Sequence, residues 1–276
     1  MRLYNSLEDF LVSKELSVDV ECQDGGGVSF PLKGREIEAT VLFADITSFS
    51  KQTESLSSTA TMLLVNKFIA WMSAEGLANT CGIVDKYIGD EILVVFSNEF
   101  GSTDHVLDAL GTARRLGEFD EWEFRPHIGL ASGTVTVGYT GTPLRYNCTV
   151  FGRPVTIAAR CAAMHFPEAE GTRILMPAAL FRDYTFEEVF PPRVLKDVST
   201  GRESKLPTPW HMLPPRLLTL KDDSFEVLPI VSTVRHFVTD IDTDGNFIRV
   251  TSVVDSVERE IETLIKQGKY KPRTSS

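Results

Sequence analysis

Two aspartates, Asp45 and Asp90, are the residues whose placement suggests chemistry most directly. The run EIEATVLFA, from Glu36 to Ala44, is apolar and β-branched; it predicts a buried strand that delivers Asp45 at its tip. In GIVDKYIGDEILVVF two apolar runs flank Gly89-Asp90, which predicts a hairpin whose turn presents Asp90. Carboxylates converging from neighbouring strands hold hard divalent cations such as Mg²⁺ or Mn²⁺. Two such ions bind triphosphate oxygens, polarise an α-phosphorus and lower the pKa of an attacking hydroxyl. Taken singly, each residue is equally an ordinary turn aspartate.

A second group is basic and hydroxylic. Lys86 precedes Asp90 by four residues on the same hairpin, among apolar neighbours, where most lysines simply extend their charge to solvent. Thr156 and Arg160 lie four apart, hence on one face of a helix, and Thr149 stands just before that helix. Alone, this is the pattern of a solvated helix face.

The elements that must position these residues follow the chain in order. A short helix is expected over Tyr4–Leu16, then a polar, glycine-rich linker. After the first strand, Met62, Val65, Phe68, Ile69, Met72 and Leu77 form one stripe of a long helix over Ser58–Leu77. The hairpin follows, then a helix from about Asp104 to Leu116 and two strands in RPHIGLASGTVTVGYTG, separated at its glycines. RPVTIAARCAAM opens with proline in its first turn and continues rich in alanine, a good helix. This βαββαβ order predicts an α+β fold of ferredoxin-like or palm type.

At 276 residues the chain suits one main domain with additions, and 42% hydrophobic with 24% charged residues supply a sizeable core. We divide it into an N-terminal helix and linker (1–35), a main domain (36–215) and a small C-terminal extension (216–276) holding a strand near Phe247–Val253 and a helix near Val257–Gln267. A formal charge of -10 without a basic run disfavours nucleic acid as a partner. Four scattered cysteines without a CxxC pair, and no apolar stretch of spanning length, lead us to expect a cytoplasmic chain with reduced thiols, no structural zinc and no membrane partner.

Four ordered segments, VLFADITSFS, VDKYIGDEILVVF, HIGLASGTVTVGYTG and TVFGRPVTIAAR, together resemble the catalytic domain of class III nucleotidyl cyclases over about residues 36–165. The resemblance implies two metal-binding acids, Asp45 and Asp90, with the backbone carbonyl of Ile46 also reaching metal. It implies base-reading positions at Lys86 and Thr149, a transition-state arginine at Arg160 and, more weakly, a triphosphate contact at Lys196. Thr156 stands where the family has a ribose-orienting asparagine, and its hydroxyl is shorter than a carboxamide. Ser48 stands where glycine is frequent. Two divalent ions, Mn²⁺ or Mg²⁺, are implied as cofactors, and a head-to-tail homodimer with shared sites as the assembly.

Lys86 and Thr149 do not choose a base, because adenine and uracil both offer adjacent acceptor and donor groups, and threonine can also donate. Ser48, Tyr87, Phe151 and Arg153 are candidates to fill the space that a pyrimidine leaves. The layout resembles the stand-alone pyrimidine cyclases of bacterial anti-phage signalling, which implies UTP turned to cyclic UMP, a product read by a separate effector protein. Cyclisation of ATP to cyclic AMP is the alternative, and a degenerate nucleotide-binding domain is another, prompted by Thr156. A diguanylate cyclase shares the fold, but IGDEI lacks the first glycine of that family's turn, and GRPVTIAAR has no place in it.

Overall fold

The computed structural model describes residues 2–272 except 24, 26, 28, 121, 143, 144, 165–170, 197–200, 221, 222, 234–238, 242–246, 250 and 251. Its elements are α1 (Leu7–Val12), β1 (Val18–Gln23), β2 (Ser29–Asp45), α2 (Phe49–Thr53), α3 (Ser58–Trp71), β3 (Ile83–Ile88), β4 (Glu91–Phe96), α4 (His105–Glu118), β5 (His127–Thr142), β6 (Arg145–Phe151) and α5 (Arg153–Ala163). There follow β7 (Arg173–Pro177), α6 (Phe186–Val189), β8 (Arg193–Lys196), β9 (Glu203–Leu206), β10 (Trp210–Met212), β11 (Arg216–Leu220), β12 (Asp223–Ser232), β13 (Thr239–Ile241), β14 (Phe247–Arg249) and α7 (Val253–Lys266).

The central sheet runs β10-β12-β7-β5-β2-β4-β3, and its β5-β2-β4-β3 portion is antiparallel throughout. In chain order those four strands stand 4-1-3-2, the ferredoxin-like arrangement that the βαββαβ order predicts. Alternation along β2 sorts the core into two layers. Leu42 and Ala44 join Leu64 and Phe68 of α3 and Leu110 and Ala113 of α4. Ala39, Val41 and Phe43 face Phe10 and Leu11 of α1 and Ala158 and Ala162 of α5. The catalytic candidates lie at the ends of this sandwich.

Local chemistry fixes the helix starts. Ser6 caps α1, Ser57 caps α3, and the Asp104 carboxylate accepts from the backbone N–H groups of both Val106 and Leu107. Pro154 sits in the first turn of α5, where its missing N–H is no loss.

Several sequence expectations need correction. Residues 1–35 are more than a helix and linker, since β1 pairs with the start of β2; β1 is largely exposed, and its alternation of Val18, Val20 and Cys22 with Asp19, Glu21 and Gln23 runs for only six residues. The stretch around residues 127–142 is one strand, not two, because its glycines stay in unbroken register with β2. Gly129 instead permits a close approach: a Cβ there would meet the Ala158 carbonyl oxygen at 1.9 Å and the Ala162 nitrogen at 2.4 Å. The buried stripe of α3 is Ala60, Leu64, Phe68 and Trp71, whereas Met62 is exposed; a wider turn over Met72–Gly76 ends the helix before Leu77.

Residues 216–276 contribute β11 and β12 to the main sheet, where β12 pairs with β7. The strand expected over Phe247–Val253 is Phe247–Arg249, and Val253 already begins α7. That helix buries Val253 and Val257 and reaches α3 through a Lys67–Glu260 ion pair of 2.8 Å.

Gly129→Ala is expected to destabilise the fold by about 3 kcal/mol, because the new methyl meets helix backbone that cannot rotate away. Gly89→Ala, at φ 63° with open space around it, should cost only about 1 kcal/mol. Urea unfolding of the two variants measures the difference.

Candidate active site

Asp45 is the last residue of β2, and its position is set from both sides. Its Cα pairs with Glu91 on β4 and with His127 on β5, and His127 pairs in turn with Arg173 on β7. The His127 ring nitrogen Nδ1 hydrogen-bonds Arg173 Nη2 and stands 3.6 Å from Asp45 Oδ1, beyond hydrogen-bond reach. Asp45 Oδ1 is buried without a hydrogen-bond partner among the described residues.

The Asp45 pKa is pushed up to about 7, first by burial and then by the negative charge of Asp90 and Glu91, with Arg173 opposing. Burial also raises Asp90, and Glu91 is raised by burial and by Asp90. Three acids crowded at one half-buried strand end, one with an orphaned oxygen, fit hard divalent cations. No group of three or more metal-ligating side chains is found among the described residues, so a cation there draws on two carboxylates plus carbonyl or phosphate oxygens.

The loop after Asp45 is braced from behind. Asp120, 4% exposed, accepts from the backbone N–H groups of Phe124 at 2.9 Å and Arg125 at 2.6 Å. The carbonyls of those residues receive the Thr47 backbone N–H and hydroxyl in turn. Burial pushes Asp120 up to about 6 against these stabilising bonds. The Ile46 carbonyl accepts from the Phe49 N–H at 3.3 Å and retains a second lone pair. Ser48 sits in the left-handed region at φ 54°, which explains on steric grounds why glycine suits this position.

Lys86 and Thr149 meet through a third residue. The Thr149 hydroxyl donates to Asp85 Oδ2 at 2.7 Å, and Lys86 Nζ lies 3.3 Å from the same oxygen. The sheet curls to bring β3 and β6 together here, although they are not paired as neighbouring strands.

Thr156 and Arg160 are exposed on α5 and, with Arg153, Leu218 and Leu220 of β11 and Asp223 of β12, line a cleft of about 720 Å³. Arg153 is ion-paired with Asp223 across it. Tyr87 and Phe151 are exposed. Lys196 ends β8 in a separate two-stranded sheet, and its side chain lies outside the described residues. The structure therefore yields three groups: the acids with Ile46, the Lys86–Thr149 pair, and Thr156 with Arg160. Among the described residues no hydrogen bond or ion pair joins one group to another.

Asp85, Glu91, His127, Arg173 and Asp120 carry no motif signal of their own. Glu91 was accessible, because a two-residue turn at Gly89-Asp90 puts it at the start of the returning strand. The others become visible only once distant strands are in register.

An antiparallel 4-1-3-2 sheet with acids at the end of its central strand and α5 packed on β5 defines an α+β domain of ferredoxin-like type. Residues 33–178 match the family described as "Adenylate and Guanylate cyclase catalytic domain", and the chain belongs to that family. It is 29% identical over 168 residues to an adenylate cyclase of Anabaena cylindrica, covering 56% of this chain and 32% of that protein. It is 33% identical over 133 residues to an uncharacterised protein of Mycobacterium tuberculosis, covering 47% and 23%. The chain thus spans a third or less of the length of these relatives. The fold is similar to the adenylyl cyclase CyaB from P. aeruginosa (TM-score 0.54, 20% identity, 73% of this chain and 97% of that one). The guanylyl cyclase Cya2 is similar to the same degree (TM-score 0.54, 19% identity, 71% and 93%). No helix among the described residues is long and apolar enough to cross a membrane.

Because the folded pKa of Asp45 lies above its ordinary 3.8, the folded chain binds this proton more tightly than the unfolded chain. Without metal, that contribution to stability is present below about pH 4 and is lost as pH rises to about 7. Asp45→Asn should therefore raise metal-free stability at pH 8, by on the order of 2 kcal/mol. Mn²⁺ should raise the Tm of the natural chain but not of the variant. Thermal unfolding with and without Mn²⁺ checks both outcomes.

Proposed function

We propose that this chain is a metal-dependent nucleotidyl cyclase: the ribose 3′-hydroxyl attacks the α-phosphate of a nucleoside triphosphate, a 3′,5′-cyclic nucleotide forms and pyrophosphate leaves. The desolvated acid corner of Asp45 and Asp90 carries this reading, since burial and mutual repulsion there have no structural return unless a cation offsets them. Bound there, divalent ions would polarise the α-phosphate and favour the alkoxide of the attacking hydroxyl. Asp45, Asp90 and the Ile46 carbonyl would hold them.

The remaining roles fall to the chain's own side chains. Arg160, exposed on α5 and always charged, is suited to neutralise charge developing on the phosphate in the transition state. Thr156, one turn before it, is placed to bond the ribose with a single hydroxyl. Lys86 and Thr149 would contact the base, and Lys196 the triphosphate. Among the described residues no hydrogen bond or ion pair joins the three groups within one chain, which supports a head-to-tail homodimer in which one chain supplies the acids and its partner supplies the other two groups.

For the base, the curated names favour ATP: the Anabaena relative and a terminal-differentiation-specific relative from Dictyostelium discoideum, 27% identical over 129 residues, are both adenylate cyclases. UTP, cyclic UMP and an effector in anti-phage defence rest on overall layout alone, so ATP is the better supported substrate. The proposed space-filling role of Arg153 is weakened by its pairing with Asp223.

Mixing Asp45→Ala chains with Arg160→Ala chains tests catalysis and the shared site together. Each variant alone should lose at least about 100-fold in kcat. After subunit exchange, the mixture should recover roughly a quarter of natural activity, since half of the dimers are mixed and each holds one intact site. Exchange without recovery would contradict the shared site.

A further inference from the structure

Asp85 is an acid that the mechanism above does not use, yet it holds both base-reading candidates. The β3–β4 register shifts between Val84 and Lys86, which leaves Asp85 as the extra residue of a bulge, and bulges re-aim side chains. Its side chain has no exposed surface. One oxygen, Oδ2, receives the Thr149 hydroxyl proton and the Lys86 ammonium, while Oδ1 has no partner among the described residues. Burial raises the Asp85 pKa, against the Thr149 hydroxyl and the Lys86 charge, both of which favour the ionised form.

A threonine hydroxyl has one proton and two lone pairs. With its proton committed to a buried carboxylate, Thr149 keeps only acceptor capacity, and with 3% of its surface open it offers a ligand no more than a single contact. Lys86, whose side chain is 41% exposed, has only donors. We propose that Asp85 is a specificity-determining positioning residue that fixes the polarity of this pair, so that a base is accepted only with a donor at Thr149 and an acceptor at Lys86. This rests on the reading of Lys86 and Thr149 as base contacts. Amino bases (adenine, cytosine) and oxo bases (hypoxanthine, uracil) present donor and acceptor in opposite order along the same edge. A pair of fixed polarity therefore discriminates between them within one ring size, which a freely rotating hydroxyl would not.

The test measures kcat/KM for ATP against its 6-oxo analogue ITP, and for CTP against UTP. In the natural chain the amino and oxo members of each pair should differ by about tenfold or more, with the same chemical class preferred in both pairs. Asp85→Ala should compress both ratios to within about threefold, mainly through KM. Asp85→Asn, which keeps an acceptor oxygen in the same place, should restore part of the preference. Natural ratios within threefold, or an Asp85→Ala chain that keeps its ratios, would overturn the proposal. Lys86→Ala and Thr149→Val separate the two levels. If they compress the ratios and Asp85→Ala does not, only the role of Asp85 fails; if they leave the ratios unchanged, the base-contact reading fails with it. The comparison in the natural chain needs no variant to fold.

Discussion

The pairing of β2 with β5, unbroken from Gly34 to Asp45, is the constraint on which the rest of the molecule depends. It carries β2 through the centre of the sheet and stops it at a carboxylate flanked by Glu91 and His127. A slip of one residue would turn Asp45 to the opposite face and exchange the two core layers. Such a slip is opposed by every buried side chain on both faces of the strand. The acid is thus fixed by packing that has nothing to do with its own chemistry, and it is held where it ionises reluctantly. Under the proposed function, this is how the fold would keep a cation site preorganised at a net expense in its own stability.

The same sheet governs the basic helix. Gly129, opposite Phe43 in the ladder, lets the backbone of α5 settle directly on β5, with Ala158 and Ala162 buried beneath it. Small residues inward leave Thr156 and Arg160 outward at a distance from the sheet set by backbone contact and not by flexible side chains. The β3 bulge turns Asp85 inward toward Thr149. Each functional group therefore owes its place to a departure from regular structure: a strand end, a close approach or a bulge.

Much of this was legible in the chain of letters, and the reasons are particular. Asp45 and Asp90 could be found because strand ends and two-residue turns have local signatures, and the α5 pair because helix spacing is local too. The fold followed from the order of elements. Legibility failed where the cause is non-local. Glycines at 129, 133 and 138 suggest turns to a reader who cannot see α5 lying on the strand. The β1 strand alternates apolar and polar residues over only six positions, and like β11 and β12 it gains its stability from the strand it pairs with. Met62 falls on the apolar stripe that helix spacing suggests yet faces solvent, whereas Leu77 reaches the same core as Leu64 and Trp71 only after the helix has ended. Asp85, His127 and Arg173 acquire meaning only across strands that lie far apart in the chain.

The proposed role of the acid corner is phosphoryl transfer within a single nucleotide. Its most direct test is a product assay in which the purified chain is incubated with ATP and Mn²⁺ and both products are quantified by mass spectrometry. Catalysis at this corner should give 3′,5′-cyclic AMP and pyrophosphate in equal amounts, with neither formed by the Asp45→Asn chain. Absence of any cyclic product from ATP and from the other three nucleotides, or equal yields from the Asp45→Asn chain, would contradict it.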